Sequence, residues 1–291
     1  MTKIIYSDDS ESTIVLSNSL AEKVMEKLEE IAQGNDKESI RLSRNLMSYT
    51  SQSVYGVGFS AEPVDSRAPI GVLGGKYYAT PDESEKGKNI LLQLDLDQVS
   101  KAIGDPSGSG LLEIYINKDD WGSNFEVPVR LLADPSKKVL SNHKKGKSIP
   151  TEDWLFEEDG YEEGLNGESW LGSLFNDDYS VTNPIYLYDP KFIGKAVPGK
   201  EVGEDFSGPF ESLSEMIEEH TLFHEDHIAR LGHYDTYIFG SSPIADGWLP
   251  LMSFAGPFSA SDPTEDDFAV FYRKTDQSTF EYKALGHRWS H

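Results

Sequence analysis

Ile90-Leu91-Leu92-Gln93-Leu94-Asp95-Leu96 and, after the turn residues Gly108-Ser109-Gly110, Leu111-Leu112-Glu113-Ile114-Tyr115-Ile116 decide the fold class. Both are short apolar runs, rich in aliphatic and aromatic residues and bounded by Gly, Pro and Asp, which is the texture of strands. Residues 54–59 and 127–132 share it, and so do 236–239, 248–254, 268–272 and 279–285 later in the chain. Together they predict antiparallel sheet.

Working outward, helical patterns precede each set of strands. Ser19-Leu20-Ala21-Glu22 is a capping-box signature, and Leu20, Val24, Leu28 and Ile31 follow at helical spacing as far as Gly34. A second helix is expected over 37–47, and Ser212-Leu213-Ser214-Glu215 opens another amphipathic helix. Helix then strands, twice over, points to an α+β fold of two tandem related helix-plus-antiparallel-sheet units, an internal pseudo-duplication. Spacing supports it: Leu73-Gly74 and Leu91 recur at an offset of 158 residues as Leu231-Gly232 and Leu249, and at that offset Leu112 and Ile114 meet Val270 and Tyr272. The expected organisation is a first unit over 1–150, an acidic, aromatic-rich insertion or linker over 151–208 that neither core needs, and a second unit over 209–291. All three belong to one compact structural domain.

At these same residues the chain resembles the YwqG-like family of bacterial proteins, a domain of unknown function. The resemblance rests on Gly74-Gly75, Leu91-Leu92-Gln93-Leu94 and Gly110-Leu111-Leu112-Glu113-Ile114-Tyr115-Ile116. It is echoed by Arg230-Leu231-Gly232-His233-Tyr234, Leu249-Pro250-Leu251 and Phe268-Ala269-Val270-Phe271-Tyr272. Two departures stand out: Lys76-Tyr77-Tyr78 where the family has a Pro after its paired glycines, and His233 in place of the second glycine of the later pair. The resemblance covers roughly residues 15–285. It implies the same two-unit α+β fold, no known catalytic residues and, from the toxin genes beside some relatives, an immunity role.

Charge carries most of the functional information. Residues 151–226 hold 20 Asp and Glu against Lys191, Lys195 and Lys200, a net of −17 out of −24 for the chain. Residues 151–190 contain no Lys or Arg, yet eight aromatics, Trp154, Phe156, Tyr161, Trp170, Phe175, Tyr179, Tyr186 and Tyr188. A disordered acidic tail is poor in aromatics, so this segment is expected to fold and to display its charge on a surface. Such a surface repels nucleic acid and anionic membrane, and it speeds encounter with a basic protein. The bland alternative is adaptation to salt. The residues expected to touch the partner are Trp154, Glu157, Glu158, Asp159, Tyr161, Glu162, Glu163, Trp170, Asp177 and Asp178. The lysine-rich stretch 137–147 reads as a solvated linker.

Catalytic chemistry has little to stand on. The absence of cysteine removes thiol catalysis, thiolate metal sites and disulfides, and it fits a cytoplasmic protein. The N-terminal residues lack a signal-peptide pattern, and no apolar run approaches the ~18 residues of a membrane helix. Gly71-Val72-Leu73-Gly74-Gly75 has neither dinucleotide nor P-loop spacing, and no Ser sits in a nucleophile elbow. His220, His224 and His227 would share one face of a continuous helix, but a stripe holding Leu213 and Ile217 is more simply packed against the protein. His224-Glu225-Asp226-His227 is also not the His-Glu-x-x-His arrangement. The expectation is a non-catalytic binding module with no cofactor and a basic protein partner, plausibly a toxin that it neutralises. The alternatives are a metal-dependent hydrolase on the histidine face and a protein that binds a small ligand between the two halves.

Overall fold

The computed structural model describes residues 13–60, 64, 67–73, 76–77, 89–104, 107–116, 125–127, 129–132, 147–148, 185–198, 208–220, 222–224, 229–234, 242–255, 266–276 and 279–286. The chain begins with strand β1 (Thr13–Val15) and helix α1 (Asn18–Ala32). The cap of α1 is Ser17, whose Oγ accepts from the Leu20 N–H at 3.3 Å, two residues before the Ser19 expected from the sequence. Leu20, Ala21, Val24, Leu28 and Ile31 form its buried stripe. Helix α2 (Lys37–Thr50) starts from Asp36, whose carboxylate accepts from Ser39 N–H at 2.7 Å. That bond holds the Asp36 carboxyl below its ordinary value. The helices lie against each other, and the buried Ser43 hydroxyl donates to Leu28 O at 2.5 Å.

The strands that follow are β2 (Ser53–Ser60), β3 (Gly71–Leu73), β4 (Lys76–Tyr77) and β5 (Asn89–Asp95). The run 90–96 was expected to be all strand, but its end changes state. Asp95 caps helix α3 (Leu96–Ile103) by accepting from Gln98 N–H, and Gly104 closes that helix with φ +73°. Strands β6 (Leu111–Ile116), β7 (Phe125–Val127), β8 (Val129–Leu132), β9 (Lys147–Ser148) and β10 (Ile185–Lys195) come next. The chain continues through a 3-10 turn at Gly208–Phe210, helix α4 (Glu211–His220), strands β11 (Leu222–His224) and β12 (Ala229–Leu231), and the short helix α5 (Ser242–Ala245). It ends with β13 (Leu249–Ala255), β14 (Asp266–Lys274) and β15 (Phe280–Gly286).

Eleven strands form one antiparallel sheet in the order β7-β15-β14-β13-β12-β2-β10-β3-β5-β6-β8. Its two edge strands, β7 and β8, are consecutive in the chain, with only Pro128 between them. One short stretch therefore pairs with β15 through its first half and with β6 through its second, and the sheet curls toward closure as a barrel.

Successive residues feed two cores. Leu92, Leu94, Leu112, Ile114, Val57, Leu187, Leu231, Met252, Val270 and Tyr272 pack together on one face. Val54, Ala269 and Phe271 face the other way, against Leu20, Val24 and Leu28 of α1, Leu46 and Tyr49 of α2, Phe210 just before α4 and Leu213 within it. Strand β14 is buried on both faces, which is why it reads as a continuous apolar run.

The largest departure from the sequence reading is β10. The segment 151–208 was expected to be dispensable to both cores, yet its residues 185–195 form a central strand, paired with β2 on one side and β3 on the other. Tyr186, Leu187 and Tyr188 are buried there. A central strand loses two ladders if it is removed, so this part of the segment cannot be an appendage. The expected strand over 236–239 lies outside the described residues.

Candidate functional site

Between α1 and the start of β2 lies an open groove of about 660 Å³. Glu22, Glu26 and Glu29 line it at i, i+4 and i+7 along α1, with Ala21 and Met25 beside them. They are exposed because the buried stripe of α1 points the other way, into the sheet. None of the three makes an ion pair among the described residues, whereas Lys27 and Glu30, outside the groove, pair at 3.0 Å. Carboxylates at i and i+4 repel, so Glu22 and Glu26 cost the helix a few tenths of a kcal/mol.

The facing wall comes from the end of α2 (Thr50, Ser51), the start of β2 (Ser53) and β10 (Phe192, Lys195). Phe192 is 51% exposed and stands edge-on to Tyr55, with ring centroids 5.9 Å apart. Lys195 is fixed, since its Nζ donates to Ser51 O at 2.9 Å and to Ser53 Oγ at 3.1 Å. Its backbone exchanges hydrogen bonds with Leu16, both 2.9 Å. Thr50 is fully buried in this wall and its Oγ1 has no hydrogen-bond partner among the described residues. The groove thus combines three carboxylates, one tethered ammonium and an aromatic ring open to solvent. A cation carrying an apolar stem matches that set, with its charge toward the glutamates and its stem on Phe192.

The residues chosen from sequence fare differently. Trp154, Glu157, Glu158, Asp159, Tyr161, Glu162, Glu163, Trp170, Asp177 and Asp178 lie outside the described residues. The histidine face does not form. Helix α4 ends at His220, His224 closes strand β11 opposite Thr13, and His227 lies outside the described residues. Pairing of residues 222–224 with β1 ends the helix before its periodicity could align the histidines. Among the described residues no group of three or more His, Asp or Glu side chains is arranged to hold a metal ion.

His233 occupies a different setting. The residue keeps some exposed surface, but its Nδ1 is fully buried. Burial, and then the neighbouring Arg230 guanidinium, push its pKa well below the ordinary value of 6.5. The residues Gln93 and Glu113, which carry the family-like pattern in the first half, oppose each other across β5 and β6, and Gln93 Nε2 donates to the fully buried Glu113 at 3.2 Å. Their place is structural.

Sequence reasoning missed the groove. The i, i+4, i+7 spacing of Glu22, Glu26 and Glu29 was visible, but a charged stripe on an amphipathic helix is ordinarily a solvated face. What distinguishes this one is Phe192 across from it, in a strand that the sequence reading had assigned to an insertion. Among the described residues no helix is long and apolar enough to cross a membrane. Comparison of the chain with family models, with curated proteins and with solved structures finds no match.

Proposed function

We propose that this chain is a non-catalytic binding module that holds a basic protein partner in the cytoplasm, in an immunity role toward a cationic toxin. The observation that carries the reading is the α1 groove, where three glutamates that make no ion pair among the described residues face an exposed Phe192. Carboxylates of this kind steer encounter, and an aromatic at the centre of a contact supplies much of its affinity. We propose in addition, from sequence alone, that the acidic, aromatic-rich residues 151–184 contact the same partner. We also propose that the two halves descend from an internal duplication. Its support is the strand order, in which β12, β13, β14 and β15 run outward from the central β2–β10 pair on one side and β3, β5, β6 and β8 on the other.

The test is capture of cationic proteins encoded beside this chain's own gene, followed by affinity measurement across a salt series. Glu22→Lys/Glu26→Lys/Glu29→Lys is expected to weaken the complex at least tenfold and to flatten its salt dependence. Charge reversal at Glu157, Glu158, Glu162 and Glu163 tests the second surface separately. The absence of any complex, or one indifferent to both sets of reversals, sinks the proposal.

A further inference from the structure

We infer that a second pocket, independent of the α1 groove, binds a small aromatic monocarboxylate. The pocket has a volume of about 250 Å³ and is walled by Asn45 and Ser48 of α2, by Gly247 and Leu249, by Tyr272, Arg273 and Lys274 at the end of β14, and by Phe280 of β15. In a chain with 50 Asp and Glu against 26 Lys and Arg, no carboxylate is among the described residues that line it, Glu281 standing behind Arg273, and both of its described charged residues are cations. That is the reverse of the α1 groove, from which it is separated by the last turn of α2.

The charge of the ligand follows from what the two cations already do. The guanidinium of Arg273 is offset by Glu281 at 2.6 Å and lies 4.5 Å from the centroid of Trp248. Lys274 makes no ion pair among the described residues; its ammonium stands 6.0 Å from the ring centroid of Phe280. One ammonium with no ion pair among the described residues calls for one negative charge, and so for a carboxylate rather than a phosphate dianion. A second donor is at hand, since the Asn45 amide uses one N–H on Ala245 O at 2.7 Å and has another.

The body of the ligand follows from the remaining wall. Phe280 and Leu249 provide an apolar surface on which a flat ring can stack, and the volume lies just below that of pockets for drug-sized molecules. Benzoate is the simplest probe with both features.

Calorimetric titration of the full chain is expected to show saturable benzoate binding, with a Kd near about 1 mM. Acetate, which lacks the ring, and benzylamine, which inverts the charge, should each bind at least tenfold more weakly, and so should inorganic phosphate. Lys274→Met removes an exposed charge and leaves the fold intact; it should weaken benzoate at least tenfold without moving the melting temperature. Phe280→Leu should weaken benzoate while leaving acetate unchanged. No saturable benzoate binding overturns the inference, as does equal binding of benzylamine, or benzoate affinity indifferent to both variants. Because none of these measurements touches Glu22, Glu26 or Glu29, the inference and the proposed partner groove stand or fall separately.

Discussion

Gly232 and Gly104 share a backbone conformation, φ +73°, but not a setting, and that difference makes a paired test of the packing around β2. Gly104 ends α3, with its N–H given to Ser100 O, and a Cβ built there meets nothing within 4 Å. Gly232 follows β12, with its N–H given to Leu251 O at 3.1 Å. A Cβ there would overlap the carbonyl oxygen of Ser53, with Ser53 C at 3.3 Å and Val54 Cα at 3.8 Å. Every one of those atoms is backbone, so no side-chain rotation relieves the overlap. Ser53 is also tied into the ladder with Lys195 of β10.

Alanine at either position carries the left-handed strain of about 1–2 kcal/mol, offset in part by the smaller entropy of the unfolded chain. Only Gly232→Ala adds overpacking against a fixed strand, about 1–3 kcal/mol more. Urea unfolding should therefore place Gly232→Ala below Gly104→Ala by that margin at unchanged m-value, or several degrees lower in Tm at about 2–4 °C per kcal/mol. If the two variants agree within about 0.5 kcal/mol, well under the overpacking expected, then β2 yields freely toward β12 and the tight central packing argued above is wrong.

Three further outcomes are expected. His233 is held neutral by burial, so its folded pKa lies below the unfolded 6.5. Its contribution is complete above pH 6.5 and declines as pH falls below it; His233→Gln should flatten the stability profile between pH 6.5 and 5, as read from urea midpoints. Tyr282 donates to Ser107 O at 2.7 Å, and burial raises its pKa to about 12. Stability should fall as pH rises from 10 toward 12, and Tyr282→Phe should remove a step near the high end of the phenolate absorbance titration. In the groove, Glu26→Gln relieves the repulsion with Glu22 and should raise stability by a few tenths of a kcal/mol while weakening the basic partner, a split that urea midpoints and binding isotherms would reveal together.

Much of the fold was legible because it rests on local periodicity. The stripe Leu20, Val24, Leu28, Ile31 is the buried face of α1, and the runs around 54–59, 90–96, 111–116, 268–272 and 279–285 are strands within a few residues. What escaped was decided at longer range. Strand β10 is broken by a bulge at Asp189 and Pro190, where Asp189 adopts φ +42°, so its alternation fails just where the stretch without Lys or Arg ends. Arg67 pairs with Asp189 across that bulge, a contact 122 residues apart that no window can see. Helix α3 was hidden because Leu96 extends the apolar run of β5; the Asp95 cap and Gly104 stop were its only marks. The groove was illegible for the same reason as β10, since one wall comes from residues 18–29 and the other from residues 50–53 and 192–195.

The arrangement of charge bears on adaptation to salt, the bland explanation of this chain's acidity. Such adaptation spreads carboxylates over every exposed surface and singles out none. Here Glu22, Glu26 and Glu29 gather on one side of the α2 terminus, opposite an exposed aromatic that gains nothing from salt. On the other side a pocket whose described lining holds no carboxylate is walled by Arg273 and Lys274. Lys195, which could have neutralised the glutamates, is instead bound to Ser51 O and Ser53 Oγ. A surface shaped only by solubility would have no reason to tie Lys195 to backbone and hydroxyl oxygens beside three carboxylates that make no ion pair among the described residues. The proposed recognition would supply one, because a cationic partner could then claim those carboxylates without displacing Lys195.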